Sequence, residues 1–185
     1  KATSNLKLSP KVGKEIPNKF THVTFKLGPS ASSGPSAFLH YNDIRQFGWI
    51  KIIKTSDLKT IPFFKDLGPE PFGGLTFDVF KNIISKSNLA IKPLIMDQKK
   101  IGGIGNIYAN DALFDSQIDT RRKAKSLKPE EIKKLYNSIL KVLKKGLENG
   151  GASEQNFVNA LGQEGKYQHH FLAYARDGKP CSRCK

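Results

Sequence analysis

Residues Ile91–Phe114 read IKPLIMDQKKIGGIGNIYANDALF. The stretch starts as a short apolar helix, passes through a lysine-bearing turn and a glycine bend, and opens a second helix at Asn106. Tyr108, Ala109, Ala112 and Leu113 continue that second helix at helical spacing. Gly102, Gly103 and Gly105 let the backbone turn with positive φ and let another molecule come close. A helix N-terminus carries unpaired N–H groups and a partial positive charge, so the bend is a natural seat for a phosphate. Lys92, Lys99 and Lys100 add cations around it. The structural alternative is an ordinary tight turn between helices that uses glycine for close packing, and the glycines by themselves do not separate the two.

The whole chain is consistent with a polyanionic partner. Its 185 residues allow one domain or two small ones, and 38% hydrophobic residues suffice for a core. With 31 Lys+Arg against 16 Asp+Glu the net charge is +15 and the pI about 9.8. Such an excess points to nucleic acid, against the plainer reading of a basic solvated surface. No apolar run approaches the ~20 residues of a membrane span. No stretch sets a lysine face against a bulky aromatic face either, so a membrane partner is not expected. Lys1 opens the sequence in place of Met, no secretory pattern follows, and both ends are expected to be cut.

Near the C-terminus stands Cys181-Ser182-Arg183-Cys184. A Cys-x-x-Cys pair supplies half of a tetrahedral zinc site. A redox dithiol or two idle thiols are the other readings, but a redox pair belongs at a helix start in a βαβ unit, which this sequence does not offer. Cys181 and Cys184 are therefore assigned as metal ligands of half a zinc knuckle. Two cysteines in all fit a reducing, cytoplasmic setting.

Residues 1–21 read as lysine-rich loop. His22–Leu27 alternates as a half-buried strand, residues 28–36 form a hairpin loop, and Phe38–Asn42 and Gly48–Lys54 read as two further strands. Between the last two lies Asn42-Asp43-Ile44-Arg45-Gln46-Phe47-Gly48. In an extended segment Arg45 and Phe47 share a side, so they can act as a tip that enters a base stack. Spacing alone favours the alternative of a core Phe47 and an Arg45–Asp43 pair. Residues 55–74, rich in Pro and Gly, read as a linker. Thr76–Asn88 reads as a helix with Phe77, Phe80, Ile83 and Ile84 on one face and Lys81 and Lys86 off it. Pro129–Glu148 is the clearest helix, with Ile132, Leu135, Tyr136, Ile139, Val142, Leu143 and Leu147 inward and Gly150-Gly151 at its end. Ser153 is expected to cap a short helix through Phe157 and Leu161. Gln163–His170 reads as a polar loop and Phe171–Tyr174 as a strand. There is no internal repeat.

Taken together these segments resemble the formamidopyrimidine-DNA glycosylase and endonuclease VIII family, closest to its oxidised-purine branch. The resemblance runs from about His22 onward. It rests on Ile91-Lys92-Pro93, Met96-Asp97, Gly103-Ile104-Gly105-Asn106-Ile107-Tyr108-Ala109, Asn42–Gly48, Leu67-Gly68-Pro69-Glu70-Pro71, Gly150-Gly151 and Gly178-Lys179-Pro180-Cys181, in that family's order and separations. It implies an α+β fold: a partial antiparallel β-sandwich over 1–66, a helix-two-turn-helix domain over 67–160, and a capping loop with the start of a zinc finger over 161–185. It also implies double-stranded damaged DNA as partner, a monomer and a structural zinc ion. Lys92 and Asn106 would grip phosphates, with Lys86 and Lys99 adding backbone contacts. Arg45 and Phe47 would fill the gap left by a flipped nucleotide, and the loop at Gln163–His170 would close over the extruded base with Tyr167 in contact.

The implied chemistry is removal of an oxidised purine and strand cleavage through a Schiff base on an N-terminal proline, assisted by a glutamate. Neither stands at Lys1, and the family's β-domain lysine and zinc-finger arginine have no counterpart, so no catalytic residue is assigned within the 185 positions. Other departures are Gln46 for a second arginine, Phe20 for a histidine (with His22 nearby), Asp119-Thr120 for His-Pro, and Ala175 within the usual Tyr-Gly-Arg. Two readings of other classes compete: a non-catalytic binder of damaged DNA or structured RNA, and a basic structural protein whose glycines only pack helices.

Overall fold

The computed structural model describes residues 15–28, 37–154, 157–159 and 162–184. The chain divides into two units: Lys1–Ile53 with Ser153–Gly165, and Lys54–Ala152 with Lys166–Lys185. The fold is α+β.

In the first unit, β1 (Thr21–Leu27) and β2 (Ala37–Asn42) pair antiparallel with Phe25 opposite Leu39 and a register shift between Thr21 and Val23. Of the expected loops at 1–21 and 28–36, residues 1–14 and 29–36 lie outside the described residues. The expected third strand is corrected. Residues 48–54 are extended but pair with no strand among the described residues, and Trp49, Ile50 and Ile52 are exposed. Apolar alternation supplies the side-chain pattern of a strand, but a strand also needs a neighbour's backbone to complete its hydrogen bonds. Among the described residues the sheet is a two-stranded ladder.

The second unit holds the core. After a 3-10 turn at Thr55–Thr60 come α1 (Pro62–Lys65), α2 (Phe77–Ser85), α3 (Ile91–Met96), α4 (Asn106–Ser116) and α5 (Pro129–Glu148). Thr76 caps α2 by accepting the Val79 amide, as a threonine N-cap should. The helix stops at Ser85, short of the expected Asn88, because residues 87–91 turn aside to bond with 122–125: Ile91 N–H to Arg122 O, Lys125 N–H to Ser87 O and Ala124 N–H to Leu89 O. The bounds of α5 match the expected ones. Pro129 occupies its first turn, Glu131 Oε2 accepts the Lys128 amide at 2.8 Å, and Gly150 and Gly151 follow with positive φ. Ile132, Leu135, Ile139 and Val142 are buried against α4 and α2, but Leu147, expected inward, is 71% exposed, and Gly146 takes the inward place.

Residues 67–74, within the stretch expected as linker, are instead structural backing for the central bend. Gly68 N–H donates to Gln98 O at 2.8 Å and Gly102 N–H to Pro69 O at 3.2 Å. A Cβ on Gly68 would stand 2.5 Å from the Lys100 carbonyl carbon, so only glycine admits this approach. Further on, no helix follows Ser153 in the described residues, and Leu161 is outside them. The buried Ser153 hydroxyl donates to Phe157 O at 2.7 Å and accepts the Gly165 amide at 2.8 Å, pinning a loop instead of capping a helix. The expected strand at 171–174 is a bend whose Leu172 and Ala173 amides donate to Asp111.

Candidate nucleic-acid interface

The bend between α3 and α4 is fixed from below and bare above. Ile101 and Ile104 are buried, while Gly103, Gly105 and Asn106 face outward. Gln98 staples it: its Nε2 donates to Met96 O and Ile104 O, each at 3.0 Å, and its Oε1 accepts the Gly103 amide at 2.9 Å. The Asp97 carboxylate accepts the Lys99 amide, and the Asp97 carbonyl accepts those of Lys100 and Ile101. Sequence reasoning misses Gln98; its only signal is a long amide side chain five residues before a glycine. Of the three glycines expected to have positive φ, only Gly103 does, at 82°. Gly102 is there for contact with Gly68, and Gly105 is the N-cap of α4 with extended geometry.

That N-cap matters chemically. Gly105 has no side chain, so no hydroxyl or carboxylate covers the first amides of α4, and Asn106 is the first helical residue rather than the cap. The helix therefore opens with unspent N–H donors and the positive end of its dipole, beside an exposed amide side chain. Lys92 lies half-buried in the first turn of α3, its own amide on Thr120 O. Lys99 is exposed and pairs with Asp66 at 3.5 Å, a solvent-screened contact that an arriving phosphate can replace at little cost. Lys86 is exposed at the C-cap of α2.

The Tyr167 expectation is corrected. Its side chain is 1% exposed, and its hydroxyl donates to Asp111 Oδ2 at 3.0 Å. Burial, followed by the Asp111 charge, pushes the phenol upward, so it remains a neutral donor. A sealed, committed phenol has nothing to offer a nucleotide. Polar residues on both sides hide this, because a single aromatic in a polar stretch carries no periodicity.

In the first unit, Asp43 builds the Arg45–Phe47 tip. Its Oδ1 accepts the Arg45 and Gln46 amides at 3.0 Å each, and its Oδ2 accepts the Gly48 amide at 2.7 Å and the Tyr41 hydroxyl at 3.4 Å. The Gly48 amide, then those of Arg45 and Gln46, hold the carboxyl below its usual range. Gln46 adopts φ 56°, a left-handed turn that throws Phe47 outward. Phe47 is 76% exposed, with the Arg45 guanidinium 4.9 Å from its ring centroid. A core Phe47 with an Arg45–Asp43 side-chain pair is thus not what forms. His22 Nε2 lies 2.8 Å from Asp43 O, at the foot of the same turn.

Cys181 and Cys184 share one turn. The Cys184 and Arg183 backbone amides, together with the Cys184 side chain, lower the Cys181 thiol to about 7, so a good fraction is thiolate at neutral pH. Two thiols in one turn are at most half of a four-ligand metal site. Among the described residues no third His, Cys, Asp or Glu joins them. Arg183 docks this turn on α4: it donates to Phe114 O at 2.7 Å and lies 4.4 Å from the Phe114 ring centroid.

Comparison with known proteins bears on all of this. Residues 67–158 match the formamidopyrimidine-DNA glycosylase H2TH domain. The chain is 40% identical over 173 residues to the formamidopyrimidine-DNA glycosylase of Pelotomaculum thermopropionicum, covering 93% of this chain and 60% of that protein. It is 39% identical over 166 residues to that of Moorella thermoacetica, covering 89% and 58%. Among solved structures it is similar to MutM (Fpg) from Thermus thermophilus, with TM-score 0.71 and 33% identity over 80% of this chain and 56% of that one. It is likewise similar to Lactococcus lactis Fpg in complex with abasic-site DNA, with TM-score 0.72 and 33% identity over 80% and 54%. The chain spans about three-fifths of the length of the curated relatives it matches. From its helix-two-turn-helix match, its motif order and these relatives, the chain belongs to the formamidopyrimidine-DNA glycosylase and endonuclease VIII family.

Proposed function

We propose that this chain is the duplex-holding part of a base-excision DNA glycosylase that removes oxidised purines such as 8-oxoguanine and formamidopyrimidines, with associated lyase activity at the abasic site. The observation that carries this reading is the uncapped, outward-facing start of α4 at Gly105–Asn106, stapled by Gln98 and backed by 67–71. Bare amides at a helix start hold a phosphate without any gain of order on binding. Lys92, Lys99 and Lys86 supply further phosphate contacts, and the preorganised, exposed Arg45–Phe47 tip suits insertion into an opened stack. Lactococcus lactis Fpg, a structural relative, has been captured on DNA containing an abasic site and, as a mutant, on DNA containing Fapy-dG, which supports damaged duplex as the ligand. Cys181 and Cys184 provide two thiolates for a structural zinc ion, whose chemistry would be to brace the turn that Arg183 docks on α4. In this reading the protein works as a cytoplasmic monomer.

The bond-breaking groups are not assigned to any of these residues, so the activity is tested on the product of the complete gene. Borohydride should trap a covalent adduct on a duplex containing 8-oxoguanine, and absence of an adduct refutes the lyase reading. The competing reading, a non-catalytic binder of nucleic acid, predicts no adduct but retained affinity for damaged duplex or for structured RNA, so both ligands belong in the same experiment.

A further inference from the structure

Tyr108, in the first turn of α4, packs so closely on Gly146 near the end of α5 that a Cβ there would stand 2.6 Å from its ring. At the other end of the pair, Asp115 Oδ2 accepts the Ser138 hydroxyl at 2.7 Å and its Oδ1 accepts the Lys141 ammonium at 2.8 Å. The two helices therefore run antiparallel, and the start of α4 at Asn106 stands level with the last turn of α5. That end of α5 is basic. Lys141, Lys144, Lys145, Glu148, Asn149 and His170 line an open groove of about 620 Å³. His170 Nε2 lies 3.2 Å from Asn149 Oδ1 and ties the returning chain to the helix end.

Lysines at a helix end have an ordinary explanation: they cap free carbonyls and offset the negative pole of the dipole. Here the carbonyls are already taken. The Asn149 amide and Nδ2 donate to Lys145 O, the Gly150 amide to Leu147 O and the Gly151 amide to Gly146 O. Lys141 is held by Asp115, but Lys144 and Lys145 are exposed and meet no carboxylate at ion-pair distance among the described residues. An anion seated at the start of α4 stands beside the negative pole of α5, a poor place for it unless cations balance that pole. The geometry points to Lys144 and Lys145 as a second phosphate site, which takes the backbone of the same duplex next to the phosphate held at Gly105–Asn106. It rests on the duplex-DNA reading above. Phosphate contacts read no base, so the site adds grip and not lesion preference.

The test uses the product of the complete gene, changes both lysines together (Lys144→Gln with Lys145→Gln), and measures duplex affinity across salt concentrations. Each lost phosphate contact flattens the plot of log affinity against log salt by about 0.9, so the double variant should show a slope shallower by about one to two and an affinity about five- to tenfold weaker. The ratio of affinities for an abasic-site duplex and the same duplex intact should not change, and neither should the denaturation midpoint. Lys144→Arg with Lys145→Arg should bind as wild type does. Lys133→Gln with Lys134→Gln removes the same charge from the exposed first half of α5 and should cost less than about twofold, because salt screens distant charge. An unchanged slope, an equal loss in that control, or a slope change with structured RNA and none with duplex overturns the second site. A wild-type chain that binds no duplex overturns the DNA reading itself; a wild type and a double variant that bind equally well overturn only this site.

Discussion

The helical unit around α4 and the strand unit around β1 and β2 handle apolar residues in opposite ways. Every fully buried apolar side chain among the described residues lies between Leu75 and Tyr167, in the helical unit. In the strand unit Val23, Leu27, Phe38, Leu39, Trp49, Ile50 and Ile52 are all exposed. The helical unit buries most of its apolar side chains, whereas the strand unit leaves these exposed. Local sequence spacing is therefore enough to specify the first and not the second. The largest expected effect breaks or confirms this contrast: Leu135→Ala, at a completely buried position, should cost about 3 kcal/mol in chemical denaturation. Ile52→Ala, at 90% exposure, should change stability by less than about 0.5 kcal/mol. A comparable loss at Ile52 would mean that this extended segment is covered in solution.

The second contrast is between the two candidate DNA elements. Asn106 sits on a bend held from several sides, so Asn106→Ala should leave denaturation midpoints unchanged while weakening duplex binding by about 1–3 kcal/mol, the range for a hydrogen bond to a charged group. Titration of labelled duplex at several salt concentrations checks this, and a basic protein with merely structural glycines would show no loss. Phe47→Ala should instead weaken binding to gapped or abasic duplex more than to intact duplex, because a wedge meets bases only where the stack is open.

The residues that can be read in advance follow the same division. Helix α5 is legible to the residue because its apolar positions recur over 20 residues and proline and glycine mark its ends. The bend and the helix start at Asn106 are legible because glycine, lysine and helical spacing stand side by side in sequence. The segment at 48–54 misleads because alternation does not reveal whether a neighbouring strand exists. Asp111 and Tyr167 escape notice as a pair, since a contact across 56 residues leaves no trace in local spacing. The motif Leu67–Pro71 stands out only through resemblance; its physical reason, a glycine pressed on the Lys100 backbone, needs the fold to be seen.

Ala175 is a smaller effect, and it is visible in the sequence as a departure. The structure holds it at φ 51°, a left-handed conformation that costs an L-residue with a Cβ about 1 kcal/mol. Ala175→Gly should therefore stabilise the helical unit by somewhat less than that, after the added freedom of glycine in the unfolded chain is subtracted. The gain should appear as slower exchange near the Cys181 turn and not in the strand unit. A loss of stability would mean that the alanine methyl is packed, not strained.

The smallest effect compares one carboxylate from each unit. Arg122, then the Lys128 amide, lowers Glu131 to about 2. Its depressed value means that its contribution is fully present above the unfolded value, 4.5, and is lost as pH falls toward 2. With both partners about a third exposed, solvent screening limits that contribution to about 0.5 kcal/mol. Asp43 in the strand unit is lowered mainly by the Gly48 amide. The same sign applies: protonation below its ordinary value, 3.8, removes the acceptor on which the Arg45–Phe47 tip is built. Acid titration followed by amide resonances should therefore show Arg45, Gln46 and Gly48 shifting together as Asp43 titrates, while the core amides of α5 hold. Glu131→Gln should flatten the helical unit's acid dependence and leave the tip's titration in place, and Asp43→Asn should do the reverse. If one substitution altered both titrations, the two units would be electrostatically coupled, and the division into a self-sufficient helical unit and an open strand unit would have to be given up.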